Sequence, residues 1–372
     1  AKTSKQKHIQ KLLRDGRMVL QYQPVLDLRN NQVVGVEALA RLDSMQEAIP
    51  PGDFLPFLAP EDQWRLTELV LNQIAIDWRE WQTQGIHLWV SLNILPRFLT
   101  SPVALERLQH LLESCPVPPT NLILEILESE ELRSLEYCAE SIRILQKKGY
   151  RIGLDDVGTG YASLLYLKEL PVDEIKIDQA FVRHIGRNPN DLHFLRAMLD
   201  LGISQKVEVI VEGVESSSIF RILRRMRAPM LQGFAVALPM WPKDLINWLL
   251  TYDSSALSKN NENFDLLQLY AETIDYQKLV FHLLSFDIVN FMKTGSWTYS
   301  QCPITRRIQE VSGNEKVKIQ TAHQEYHLEL EKLTAEIYSG KTIDTTELHN
   351  RGRTVLQQIS LAISDQSLPE TK

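Results

Sequence analysis

The sequence predicts an α/β fold: a modified TIM-type (β/α)8 barrel with one antiparallel strand, followed by a C-terminal all-α helical bundle. Three observations carry this expectation. Over residues 18–245, eight strand-like apolar runs alternate with helical patterns, which suits a barrel of typically about 250 residues. The first two runs are separated only by "LDLRNN", which reads as a hairpin and so sets one strand against the others. Beyond residue 265 strand signals fade and helical periodicity takes over. A doubly wound open sheet is the structural alternative for the first part.

In chain order, "MVLQYQPV" and "QVVGVEAL" form the expected hairpin, and "PEDQWRLTELVLNQIAIDWREWQTQG" reads as a long helix. The strands "HLWVSLN", "LILEIL", "RIGLDD", "EIKID", "VEVIVEG" and "LQGFAVA" follow, with "NDLHFLRAMLDLGISQ" among the helices between them. The stretch "YDSSALSKNNENFD" is polar, lacks apolar periodicity and reads as a linker. The helical runs "LLQLYAETIDYQKLVFHLLSFDIVNFM", "IQTAHQEYHLELEKLTAEIY" and "ELHNRGRTVLQQISLAI" come after it. The expected organisation is a barrel over 1–250, a linker over 251–265 and a helical regulatory or sensory domain over 266–372.

Composition bounds the function. A chain of 372 residues exceeds what one core usually serves. Its net charge of −7 argues against general affinity for nucleic acid or anionic membrane. The three widely spaced cysteines, Cys115, Cys138 and Cys302, favour a reducing cytoplasm over a disulfide framework. No apolar run approaches a membrane span. The segment "AKTSKQKHIQKLLRDGR" has no apolar signal-peptide core, and whether domains precede it stays open.

In such a barrel the active site lies at the C-terminal ends of the strands. Polar residues stand there run after run: Glu37, Asn93, Glu125, the pair Asp155 and Asp156, Lys176 with Asp178, Glu212 and Gln232. One such residue is ordinarily a cap or turn residue. Repeated at consecutive strands, the placement points to a site. Carboxylate and amide oxygens are hard ligands suited to Mg²⁺ or Mn²⁺, and the region has no Cys/His cluster for zinc. Converging carboxylates without cations repel one another, and two divalent ions resolve that, as in phosphoester hydrolysis. Lys176 and Asp178 are two apart on a strand and so are expected to face the same way. Adjacent residues such as Asp155 and Asp156 serve one site only if the backbone leaves the strand there, with Gly158 and Gly160 permitting the exit.

The blocks "YQPV", "VEALAR", "LEILES", "DDVGTGYASLLYLKELPVDEIKID", "VEGVES" and "LQGFAVALPM", in this order over roughly residues 5–250, resemble the EAL family of bacterial cyclic di-GMP phosphodiesterases. The resemblance implies metal ligands at Glu37, Asn93, Glu125, Asp155, Asp156 and Glu212. It implies catalytic roles for Lys176, Glu212, Glu37 and Asp155. Substrate contacts are implied at Gln23, Leu39, Arg41, Gln232 and Pro239, with Glu215 and Asp178 steadying the loop that carries the aspartate pair. The implied reaction opens cyclic di-GMP to linear pGpG with two Mg²⁺ or Mn²⁺ ions, in a homodimer. Leu127, Val157, Val211 and "NILPRF" depart from the usual family residues, and none removes an implied ligand. A receptor that binds cyclic di-GMP without hydrolysing it, or a protein-interaction module, is the alternative.

In the tail, "AHQEYH" sets His323 and His327 four apart on one helical face. Gln324 after the first histidine departs from the zinc-protease pattern. The run onward from "KTGSWTYS" weakly resembles a chemoreceptor zinc-binding domain. Tyr276 and Met292 stand where that domain has its first histidine and its cysteine. The implied zinc set is His282, Cys302, His323 and His327; the plain alternative is two histidines at the edge of a bundle core.

Overall fold

The computed structural model describes residues 2–45, 47–127, 135–158, 163–186, 188–253, 265–294 and 297–366. Most of the expected linker (254–264), part of the loop after Asp156 with Gly160, and residues 128–134 lie outside the described residues.

Among the described residues, nine strands form one sheet: β1 (Met18–Asp27), β2 (Gln32–Asp43), β3 (Ala48–Ile49), β4 (Trp89–Ile94), β5 (Leu122–Leu127), β6 (Arg151–Val157), β7 (Glu174–Ile177), β8 (Glu208–Val211) and β9 (Met230–Leu231). Their order is β1-β9-β8-β7-β6-β5-β4-β2-β3, and β1 also pairs with β2, so eight strands close into a barrel and β3 hangs on its edge. Closure removes the open-sheet alternative, because both ends of the eight-strand series are paired.

β1 runs antiparallel to both β2 and β9, while β2 and β4 to β9 run parallel. The hairpin turn that reverses β1 contains Asn31 at φ 56°, a left-handed position that asparagine tolerates. Strand interiors are apolar on both faces, as expected of parallel strands covered by helices: Leu122, Ile123, Leu124 and Ile126 are all fully buried.

One expectation on strands is corrected, and one short strand was not foreseen. The two-residue β3 falls below any periodicity signal. "LQGFAVA" is a strand only at its start: β9 ends at Leu231 and a turn follows, with backbone bonds from Val236 and Ala237 N–H to Gly233 O. An apolar run packed in a turn is indistinguishable by composition from a short buried strand.

Two of the barrel helices show how the sequence marks their starts. Pro60 opens the helix Pro60–Thr83, and Asp62 Oδ2 accepts from the Ala59 N–H at 2.9 Å. Ser101 caps Pro102–Glu113 by accepting from the Ala104 N–H.

By its internal contacts the chain forms two units, one of residues 1–182, 198–216 and 228–256, the other of 183–197, 217–227 and 257–372. The first holds all nine strands of the described residues. The second is helical, built on Leu266–Phe286, Ile288–Thr294, Pro303–Ile308, Glu315–Tyr338 and Thr346–Gln366. In it Asp265 caps the first helix by accepting from Leu267 N–H, and Gln277 Nε2 donates to Gly352 O at 3.0 Å, tying the first helix to the last. Glu272 binds Arg225 and Arg307. Among the described residues, no helix is long and apolar enough to cross a membrane.

Candidate metal centre at the barrel mouth

Lys176 organises the centre. It lies on β7 with its side chain turned into the barrel, 1% exposed. Its ammonium Nζ lies 2.7 Å from Glu212 Oε1, 2.9 Å from Glu37 Oε2, 3.3 Å from Glu125 Oε2 and 3.5 Å from Asp155 Oδ1. These carboxylates come from β2, β5, β6 and the residue after β8, so closure of the barrel is what gathers them.

The aspartate pair is presented differently from the sequence expectation. The strand does not end at the pair; it continues through Val157, and the pair forms a bulge. Leu154 pairs with Ile175 and Val157 with Ile177, so β6 spends one more residue than β7 over this interval. Asp156 takes the extra turn at φ 56°. The bulge cancels the strand's alternation, and Asp155 and Asp156 then serve one site. The Asp156 N–H donates to Asp155 Oδ1 at 2.9 Å. Gly158 follows at φ +106°, where a Cβ would lie 2.2 Å from the Phe181 ring, so glycine is required twice over. Val157 itself is fully buried.

The result is two carboxylate triads that share Asp155. Glu37, Glu125 and Asp155 offer oxygens within 4.8 Å of one another, as do Asp155, Asp156 and Glu212. The first triad is buried; the second opens toward the mouth.

Electrostatics follow from four carboxylates around one ammonium. Burial, with nearby carboxylates, drives Glu125 well above the ordinary range despite Lys176, and Asp155 is raised for the same reason. Burial pushes Glu212 up to about 7, and burial with Asp155 and Asp178 pushes Asp156 to about 6. Glu37 goes the other way. Burial would raise it, but Lys176 and hydrogen bonds from Gln232 and Asn93 hold it below the usual carboxylate value. Gln232 Nε2 donates to Glu37 Oε2 at 2.7 Å and Asn93 Nδ2 to Glu37 Oε1 at 3.2 Å.

The donor set fits divalent cations. It is all oxygen, it carries more negative charge than Lys176 offsets, and Glu125 Oε1 is buried without a hydrogen-bond partner. Glu37, Asn93, Glu125, Asp155, Asp156 and Glu212 stand where such ions would be held.

Other residues take supporting places. Gln23 pairs with Glu37 in the β1–β2 register and accepts from Gln232 Nε2 at 3.2 Å. Leu39 and Arg41 share the Glu37 face of β2 by strand period, both half-buried. Arg41 donates to Ala40 O and stands outside the Lys176 cluster. Asp178 does not join Lys176 as expected. It lies just past β7, accepts the Ala180 N–H at 2.7 Å and bonds to Asp156, because the strand alternation ends at Ile177. Glu215 is exposed and, with Gln23, Glu212, Gln232 and Phe234, lines a cleft of about 150 Å³. Pro239 precedes Met240, whose backbone pairs with Tyr22.

Sequence reasoning missed Phe234, an exposed aromatic at this cleft, and Gln179 on its wall. It also missed Glu174, two before Lys176 and so on the same inward face. Glu174 is buried with both oxygens unpartnered, and burial raises its carboxyl to about 7. Period-2 alternation from Lys176 was a usable signal for it.

In the tail, Cys302, His323 and His327 come together, with ligand atoms within 4.8 Å of one another. His282 does not join them. It is exposed, its ring beside Phe286. Six residues from Tyr276, it lies about 120° round the helix from the face that meets the cluster.

The comparisons agree with this architecture. The family model described as "EAL domain" matches residues 6–239. The bifunctional diguanylate cyclase/cyclic di-GMP phosphodiesterase MucR of Pseudomonas aeruginosa is 32% identical over 233 residues, covering 62% of this chain and 34% of that protein. The cyclic di-GMP phosphodiesterase PdeR of Escherichia coli is 31% identical over 252 residues, covering 66% of this chain and 37% of that protein. The chain thus spans about a third of the length of the curated relatives it matches. A solved structure of the PaMucR phosphodiesterase in complex with c-di-GMP superposes with a TM-score of 0.59 at 31% identity, covering 65% of this chain and 99% of that one. With an EAL domain matched over more than half of its residues and the barrel to go with it, the chain belongs to the EAL domain family.

Proposed function

We propose that the chain hydrolyses cyclic di-GMP to linear pGpG at the barrel mouth, with two divalent cations, Mg²⁺ or Mn²⁺, as cofactors. The observation that carries this reading is the pair of carboxylate triads joined through Asp155, one ion's worth of hard ligands on each side of a shared oxygen donor. Relatives named cyclic di-GMP phosphodiesterases and a neighbour bound to c-di-GMP support the substrate. Divalent ions at the triads would lower the pKa of a water and offset charge developing at phosphorus.

The protein's own groups then have distinct tasks. Lys176 Nζ, fixed by four carboxylates, is pre-aimed and pays no reorganisation when charge develops at a phosphoryl oxygen. Glu212, at the more open triad and 2.7 Å from Lys176 Nζ, offers the carboxylate that takes the proton of the attacking water. Gln232 and Asn93 keep Glu37 ionised and oriented. Arg41 contributes a planar donor for a non-bridging phosphate oxygen. The water oxygen bonds to phosphorus, the bond to the 3′ oxygen breaks, and the freed alkoxide takes up a proton. The helical unit is proposed to regulate this activity, tested by comparing the full chain with the barrel alone.

Glu37→Ala removes a member of the buried triad and the three hydrogen bonds that converge on it, from Lys176, Gln232 and Asn93. Turnover should fall by at least about 10²-fold while circular dichroism stays unchanged. Wild-type turnover in that variant would sink the assignment of Glu37.

A further inference from the structure

β1 is the seam of the barrel. It pairs with β2 from Met18 to Asp27, but with β9 only through Leu26 and Asp27, because β9 ends at Leu231. β1 runs against the other strands, so its first residues stand at the mouth. On the β9 side there, among the described residues, one bridge holds its backbone. The Tyr22 N–H donates to Met240 O at 2.8 Å, and the Met240 N–H donates to Tyr22 O at 2.9 Å.

Gln23 is the next residue. Its Nε2 donates to Ala237 O at 3.2 Å, and its Oε1 accepts from Gln232 Nε2 at 3.2 Å. The same Gln232 nitrogen donates to Glu37 Oε2 at 2.7 Å. The inner side of the seam therefore runs from Gln23 through Gln232 to Glu37.

Strand alternation turns Tyr22 away from Gln23, to the outside of the barrel. Its side chain is fully buried there. The ring meets Trp81 edge-on, with centroids 4.9 Å apart and planes at 73°, and the hydroxyl donates to Asp77 Oδ2 at 2.7 Å. Gln73 Nε2 donates to Asp77 Oδ1 at 3.0 Å. Gln73, Asp77 and Trp81 are spaced by four on one face of the helix Pro60–Thr83. Among the described residues no lysine or arginine pairs with Asp77, so two neutral donors alone answer a buried carboxylate. Burial raises that carboxyl above its ordinary value. Phenylalanine against leucine would fill the same space without burying a charge. What the polar pair supplies is direction: a short bond from a rigid ring to a helix, at the level where β1 lacks a strand neighbour.

Resting on the reading of the mouth as a cyclic di-GMP site, we propose that Tyr22 and Asp77 are positioning residues for it. They clamp β1 from outside the barrel and so set where Gln23 meets the ligand. Neither side chain enters the barrel; both act through the backbone between Tyr22 and Gln23.

The test is steady-state hydrolysis of cyclic di-GMP by the full chain in Mn²⁺. Tyr22→Phe keeps the ring and removes the bond; KM should rise about 10-fold, with kcat changed less than about twofold. Asp77→Leu should do the same. Asp77→Asn keeps an oxygen for Tyr22 and, with the Gln73 amide turned over, a partner for Gln73, so KM should return toward wild type. In a Gln23→Ala chain, Tyr22→Phe should raise KM no further, because the clamp acts through Gln23. A merely structural pair would lower stability in both backgrounds and leave KM alone. If Asp77→Leu does not fold, Tyr22→Phe with and without Gln23 decides the matter. An unchanged KM in folded Tyr22→Phe, or the same rise whether or not Gln23 is present, would overturn the proposal. A wild-type chain that binds cyclic di-GMP without turnover overturns the hydrolysis reading alone, and the same variants are then compared by Kd in calorimetry. A wild-type chain that binds none overturns both.

Discussion

Replacing Lys176 by methionine removes the ammonium around which the barrel mouth is assembled and keeps the stem's volume. Lys176 is fully buried, so its ion pairs are not screened as surface pairs are. Four carboxylates contact it, and with all ionised they already exceed its charge by three. Breaking a buried pair by removing one partner costs about 3–5 kcal/mol. The loss is smaller where carboxylates can protonate instead. Glu212 is ready to do so, as its carboxyl titrates at about 7. Urea unfolding in chelator should therefore show Lys176→Met less stable by about 3–5 kcal/mol at pH 8, with the gap narrowing toward pH 5. The lysine itself stays charged throughout, because its neighbours raise its pKa well above 10.5. Saturating Mn²⁺ should close much of the gap at pH 8 by supplying the missing positive charge. Equal midpoints at pH 8, or a deficit unchanged at pH 5, would refute this account of the centre.

Three further outcomes follow from the same geometry. Gly158→Ala combines a left-handed backbone with a clash against Phe181, and should lower stability by about 1–3 kcal/mol in denaturant titration; an unchanged midpoint would contradict the strained exit after Asp156. Glu174 and Glu212 titrate near 7 in the folded chain against 4.5 ordinarily, so the folded state holds extra protons between those values and metal-free stability falls as pH rises through that window. Glu174→Gln should flatten that slope by about one proton, read from unfolding midpoints against pH; an unaltered slope counts against the buried charge. Divalent-ion affinity should rise from pH 5.5 to 7.5 with net proton release, measured by calorimetry in buffers of differing ionisation enthalpy; pH-independent binding would place the ions elsewhere.

Much of this was legible in the chain. "LDLRNN" is too short for a crossover helix, so β1 had to reverse, and it does. The carboxylates at strand ends were readable because a parallel barrel presents those ends to one mouth. What escaped depended on backbone detail. Adjacent Asp155 and Asp156 implied a departure from the pleat, but a one-residue bulge and a chain exit present the same letters. Asp178 obeyed alternation only as long as β7 lasted, and β7 stops at Ile177. In the tail, spacing of four correctly set His323 beside His327, whereas grouping His282 with them ignored its angle round the helix. Cys302 reached them only through a tertiary packing that no periodicity encodes.

The central claim is that the oxygen cluster around Lys176 is a cation-dependent phosphodiesterase centre. Chromatography of cyclic di-GMP incubated with the full chain tests it directly, in Mg²⁺, in Mn²⁺ and in chelator. The account requires pGpG to accumulate with either ion and to stop with chelator. Cyclic di-GMP that stays bound but intact at every metal concentration would contradict it and mark the chain as a receptor.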